Sequence, residues 1–112
     1  MLDTITITTP ASMECTLYTP VHDLCSHTHE PQKGSYIEIR YIPFNNQGLG
    51  LRSILAFVES QKETPLDLET LVARLYTQLI ETGYIEFTLS AFFILDTGIT
   101  LSIFMEKHTS GF

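Results

Sequence analysis

The feature that most limits the fold lies in the last third of the chain. "YIEFTLSAFFIL" alternates Ile85, Phe87, Leu89 and Ala91 against Glu86, Thr88 and Ser90, and "ITLSIFM" alternates again through Ile99, Leu101 and Ile103. A period of two is that of a pleated strand with one buried face, and "DTG" between the runs supplies turn residues. An antiparallel C-terminal hairpin is therefore expected.

The rest of the chain is read by the same test. "DTITITT" alternates Ile5 and Ile7 with threonines and predicts a first strand; "SYIEIRYI" puts Ile37, Ile39 and Tyr41 on one face and Tyr36, Glu38, Arg40 and Ile42 on the other. Pro43 has no N–H to donate and should end that ladder. "MECTLY" also reads as strand, with Cys15 as a packing residue. Between these runs the period lengthens. In "GLRSILAFVES", Leu51, Ile54, Leu55 and Val58 fall on one helical stripe. A second helix is expected from "TPLDLE", with Thr64 as cap, Pro65 in the first turn and Asp67 favouring the positive helix end. Its buried stripe would be Leu68, Leu71, Val72, Leu75 and Leu79, and Gly83 its stop.

Strand, strand, helix, helix, strand, strand implies an α+β layer: a four-stranded antiparallel sheet with two helices on one face. Phe92, Ile94, Phe104 and Tyr36 make the other face partly apolar, so assembly of several copies through sheet edges is expected. With 112 residues, 44% of them hydrophobic, residues 1–112 are expected to form a single domain. Neither a long apolar run nor a basic leader followed by an apolar segment is present, which predicts a cytoplasmic protein with no membrane partner and with Cys15 and Cys25 as free thiols.

Six Lys and Arg against 13 Asp and Glu give a net charge of −7, and the basic residues are scattered. A nucleic-acid surface needs a basic stripe to neutralise phosphates, so no nucleic-acid partner is expected, and a polyphosphate ligand is disfavoured for the same reason.

The richest chemistry is in "HDLCSHTHEP", residues 22 to 31, which holds three of the four histidines and one of the two cysteines. Three readings stay open. Cys25 with His27 and His29 could converge on a metal ion, because alternate residues of an extended chain share a side. Cys25 could be a nucleophile whose thiol is acidified by imidazoles, with His27 as its catalytic partner. Or the segment is a polar loop with a partly buried cysteine.

Over roughly Leu24 to Ile103 the chain resembles the tunnelling-fold proteins, in which sheets from several subunits join into a barrel. In "LCSHTHEPQKGSYIEIRYIP", Cys25, Thr28 and Pro31 lead into a strand ending "YIP". This is similar to the active-site segment of the 7-cyano-7-deazaguanine reductase (QueF) family, which serves queuosine tRNA modification. "LGL" at residues 49 to 51 and its distance to Glu69 resemble, secondarily, GTP cyclohydrolase I of pterin and folate biosynthesis. The resemblance implies a homo-oligomer and a small purine- or pterin-like ligand. Glu69 would bind it, because a carboxylate accepts a pair of parallel N–H bonds from the ring. It also implies NADPH for a reductase, or zinc for a cyclohydrolase.

Departures from both patterns are specific. Gln32 stands where the reductases have an aspartate and Leu68 where they have a histidine, and neither side chain can supply the protons that nitrile reduction needs. "NNQGLGLRS" lacks the nicotinamide-binding motif. The region matching the second zinc cysteine of the cyclohydrolases, "TLSAFF", has no cysteine or histidine, so His22 or His108 would have to act as a third ligand. A non-catalytic tunnelling-fold binding or assembly protein is the remaining expectation.

Overall fold

The computed structural model describes residues 2–8, 13–43, 46–63, 67–83 and 86–107. The elements in chain order are β1 (Thr4–Thr6), β2 (Cys15–Pro20), β3 (Tyr36–Tyr41), β4 (Gln47–Leu49), α1 (Leu51–Ser60), α2 (Leu68–Glu81), β5 (Phe87–Ile94) and β6 (Thr100–Lys107). The main sheet is four-stranded and antiparallel, ordered β2-β3-β5-β6. Both helices contribute to the core on one face of it. The α+β layer is as the periodicity implies, and no helix among the described residues is long and apolar enough to cross a membrane.

The C-terminal hairpin forms in the expected phase except at Ile99, which precedes β6 and is 62% exposed. Phe87, Leu89, Ala91 and Phe93 are buried in β5, Thr88 and Ser90 point the other way, and Ala91 pairs with Ile103 and Phe93 with Leu101. Gly98, at φ 85° in the turn, takes a conformation that costs an L side chain strain. In β3, Ile37 and Ile39 are wholly buried, and Pro43 lies beyond the strand's end at Tyr41. Tyr84 and Ile85 lie outside the described residues.

The N-terminal expectation needs correction. Thr4–Thr6 is a strand, but it pairs with Gln47–Leu49 in a small separate sheet, and the edge of the main sheet is Cys15–Pro20. The physical reason lies in the burial pattern. All three residues of β1 are exposed, whereas β2 buries Thr19 and half-buries Cys15 and Leu17 against the core. The sheet edge goes to the segment that covers more apolar surface.

The buried stripe of α1 is also rotated. Ile54, Phe57 and Val58 are buried, while Leu51 and Leu55 are 60% and 52% exposed. Stripes starting at Leu51 or at Ile54 have the same spacing and differ by about 60° around the helix at about 100° per residue. The second stripe buries the Phe57 ring, which removes more apolar area than a leucine. The helix start is pinned by the residue before β1: Gly50 N–H donates to the Asp3 carbonyl at 2.8 Å, and Asp3 N–H donates to Ser53 Oγ at 3.0 Å.

Helix α2 buries Leu71, Val72, Leu75 and Leu79 and half-buries Leu68, as its period predicts. The residue that caps it is Asp67, whose carboxylate accepts the Thr70 N–H at 2.7 Å. Thr64 and Pro65 lie outside the described residues. Gly83 follows the helix at φ 87° and stops it.

Candidate active site

The loop joining β2 to β3 carries the histidine-rich segment, and its backbone is zipped from the base upward. Val21 N–H donates to the Ser35 carbonyl at 3.1 Å, Asp23 N–H to Pro31 at 2.8 Å and Leu24 N–H to Glu30 at 3.0 Å. His29 N–H donates to the Cys25 carbonyl at 2.7 Å and closes the tip. Asp23 and His29 both sit at φ 58°, in the left-handed region that Asp and His enter more readily than most residues. Val21, Leu24 and Pro31 are buried and root the loop in the core.

This geometry divides the side chains. Residues 26–28 form a turn rather than extended chain, and His29 at its left-handed φ reverses direction. Cys25, Thr28 and Glu30 consequently line one cleft of about 550 Å³. His22, Asp23, His29, Gln32 and Lys33 line a separate, outer hollow. His27 is exposed and lines neither of the two. The expectation that His27 and His29 converge with Cys25 assumed an extended strand, and the turn removes that assumption. Among the described residues no three His, Cys, Asp or Glu side chains come together as a metal-holding group. His108 lies outside the described residues.

The cleft has three other walls. The first turn of α2 supplies Asp67, Leu68, Glu69 and Leu71; the C-terminal hairpin supplies Leu95, Ile99, Thr100 and Leu101; Gln61, after α1, completes it. Cys25 and Glu69, chosen from the sequence for different reasons, thus open onto the same space. Its volume is within the range of ordinary small-molecule pockets, about 300–1,000 Å³.

Local electrostatics favour a reactive sulfur. Thr28 holds the Cys25 thiol below the usual cysteine pKa, chiefly through its N–H and then through its hydroxyl, and the His27 N–H acts in the same direction. Partial burial and the Glu63 carboxylate oppose them. The histidine expected to acidify Cys25 through its ring does so through its backbone. Glu63 is also the loop's outer anchor, accepting the Ser26 N–H at 3.0 Å and the Ser26 hydroxyl at 3.2 Å.

Gln32 and Leu68 take different places. Leu68 is half-buried in the wall of the cleft. Gln32 is turned away from it: its N–H donates to the Ile94 carbonyl at 2.8 Å and its side chain donates to Asp96 at 3.1 Å. Gln32 ties the loop to the hairpin tip. Glu30, which no motif in the sequence marks, also lines the cleft, and its Oε2 accepts the Asp96 N–H at 2.6 Å. A carboxylate next to Pro31, close in sequence to a candidate nucleophile, was the signal that could have found it.

With the geometry established, comparison with known proteins bears on the fold. No family model and no curated protein matches the sequence. Among solved structures, the archaeosine synthase QueF-Like in its apo form is similar, with a TM-score of 0.66 over 84% of this chain and 92% of that chain. At 14% identity the likeness is one of fold. The protein therefore has a QueF-like fold.

Proposed function

We propose that the protein binds a purine-, pterin- or 7-deazaguanine-like ring in the cleft between the β2–β3 loop and α2, and that Cys25 attacks an electrophilic carbon on it. The observation that carries this reading is the opening of Cys25 and Glu69 onto one cleft. The QueF-like fold and the name of the similar structure, an archaeosine synthase, support the choice of ring.

Each residue has a role that follows from its chemistry. Glu69 accepts two N–H groups from the ring's amidine edge, and Leu68, Leu71 and Leu101 contact its apolar surface. With a nitrile such as that of 7-cyano-7-deazaguanine, the Cys25 thiol adds across the triple bond. A sulfur–carbon bond forms, one carbon–nitrogen π bond breaks, and the thiol's proton ends on nitrogen, with no oxidant or reductant consumed.

Two cofactors fit poorly. Among the described residues, those lining the cleft include three carboxylates, Glu30, Asp67 and Glu69, and no Lys, Arg or His, so the phosphates of a dinucleotide or of GTP find no counter-charge from them. Zinc finds no converging donor set among the described residues. A zinc-dependent cyclohydrolase and an NADPH-dependent reductase therefore rank below nitrile capture, and no hydride or metal step is assigned.

We extend the reading to a homo-oligomer. Tyr18, Tyr36 and Phe92 form an aromatic row on the uncovered sheet face, with ring centroids 5.9 Å and 5.8 Å apart, and Phe104 is 61% exposed on the same face. Strands β2 and β6 are the edges of the sheet. Sedimentation reads this directly, and a strictly monomeric chain at its highest soluble concentration would remove it.

The test of the ring site is calorimetric titration with 7-cyano-7-deazaguanine, guanine and pterin, followed by intact-mass analysis. Saturable binding, with a Cys25 adduct of one ligand mass, is the expected result. Binding without an adduct would leave a non-catalytic ring-binding protein, and no binding of any ring would leave an assembly role for an inherited fold.

A further inference from the structure

Addition of a thiol to a nitrile leaves developing negative charge on nitrogen, and a proton must reach it. Gln32 and Leu68 cannot provide one, and Gln32 is held outside the cleft by its bonds to Ile94 and Asp96. We infer that Glu30 is the proton-transfer residue of this cleft, taking the Cys25 proton and delivering it to the atom that the sulfur attack leaves negative. This rests on the reading of Cys25 as nucleophile.

The two ends of the Glu30 carboxylate are differently used. Oε2 accepts the Asp96 N–H at 2.6 Å, which fixes the side chain against the hairpin tip, and Oε1 takes no hydrogen bond among the described residues. The residue lines the same cleft as Cys25. Its backbone is tied to the nucleophile's turn: Glu30 N–H donates to Thr28 Oγ1 at 3.3 Å, and Leu24 N–H donates to the Glu30 carbonyl at 3.0 Å. The other carboxylates are less suited. Glu63, whose charge acts on Cys25, is engaged at both oxygens by Ser26. Asp67 is engaged by the Thr70 N–H as a helix cap, and Glu69 is the residue assigned above to the ring's N–H pair.

The proton balance is closed. The thiol gives its proton to the Glu30 carboxylate as sulfur bonds to carbon, and the resulting carboxylic acid gives it to the nitrile nitrogen. The products are a neutral thioimidate and a regenerated carboxylate.

The experiment compares wild type and Glu30→Gln for Cys25 modification by three probes: 7-cyano-7-deazaguanine, 2-cyanopyrimidine and iodoacetamide. Glutamine keeps an oxygen for the Asp96 N–H but cannot carry the proton. Cyanopyrimidine needs a proton on nitrogen but no ring recognition by Glu69, so it tests Glu30 even where 7-cyano-7-deazaguanine does not bind. Iodoacetamide needs only a thiolate, because iodide leaves without a proton, and so reports loop integrity. The expected result is that Glu30→Gln slows cyanopyrimidine labelling by about a hundredfold at mildly acidic pH and leaves iodoacetamide labelling within about threefold. The nitrile rate should rise with thiolate in the variant and should depend less steeply on pH in the wild type. Equal slowing of both probes, slowing of neither, or a wild type inert to cyanopyrimidine would each overturn the assignment.

Discussion

On the inner side of the β2–β3 loop, Cys25, Thr28 and Glu30 look into a cleft closed by α2 and the hairpin tip; on its outer side, His22, Asp23, His29 and Lys33 look into water. The outer side holds the residues that catch the eye in the sequence, including an Asp23–His29 pair at 2.7 Å with side chains 56% and 69% exposed. The inner side holds two backbone N–H groups and a hydroxyl aimed at a sulfur. The difference teaches that the turn, rather than the density of titratable residues, decides which side chains share an enclosed space. An exposed ion pair is worth little in water, whereas oriented donors at a partly enclosed sulfur change which of its forms is present.

Changes on the inner side should have the largest effects. Cys25→Ala is expected to abolish the nitrile adduct completely while leaving ring binding by calorimetry nearly intact. A retained adduct would move the nucleophile elsewhere and break the comparison. Glu69→Ala should weaken ring binding by about tenfold to a hundredfold, the worth of a charge-assisted hydrogen bond of about 1.5–3 kcal/mol. His29→Ala, on the outer side, should leave the same titration unchanged, and a matching loss there would show that the two sides act together.

Glu63 sharpens the comparison, because it acts on the inner sulfur from outside the cleft. Its carboxylate anchors Ser26 and its charge raises the Cys25 pKa. Glu63→Gln keeps an acceptor for Ser26 and removes the charge. The thiolate should then form at lower pH, read as an acid-side displacement of the iodoacetamide rate profile. A displacement to the alkaline side would show that loosening of the loop outweighs the lost charge.

What could be read in the sequence divides along similar lines. Period settled β3, β5, β6 and α2, because each has one apolar face with no competing phase. It failed for α1, where stripes beginning at Leu51 and at Ile54 satisfy the same spacing and only the packing of Phe57 chooses between them. It also failed to say which N-terminal segment joins the sheet, since strand character in "TIT" and in "CTLY" is local and pairing is not. Cys25 and Glu69 were found because each stands in a recognisable pattern. The place of Glu30 in the cleft was not legible, and the histidines were expected beside Cys25, for one reason: the turn at residues 26–28 and the left-handed backbone of His29 decide which side chains share the cleft, and spacing assumed an extended chain.

The smallest expected effect is on the outer side, and it has a definite sign. Asp23 is held below the ordinary aspartate pKa, first by its hydrogen bond with His29, against an opposing effect of desolvation, and with weaker help from the nearby charges of His29, His22 and Lys62. A carboxyl whose folded pKa is lowered contributes stability that is present above its unfolded pKa and is lost as pH falls through the folded one. The contribution is thus full at neutral pH and disappears on acidification below about pH 4. Asp23→Asn should lower the melting temperature slightly at neutral pH and remove this part of the acid decline, so the two melting curves converge as pH falls. The exposure of both partners keeps the effect small through solvent screening, and added salt should shrink it further. Divergence of the curves toward acid pH would show that Asp23 is stabilised in its protonated form. The outer hollow would then have a buried character that the comparison between the two sides denies it.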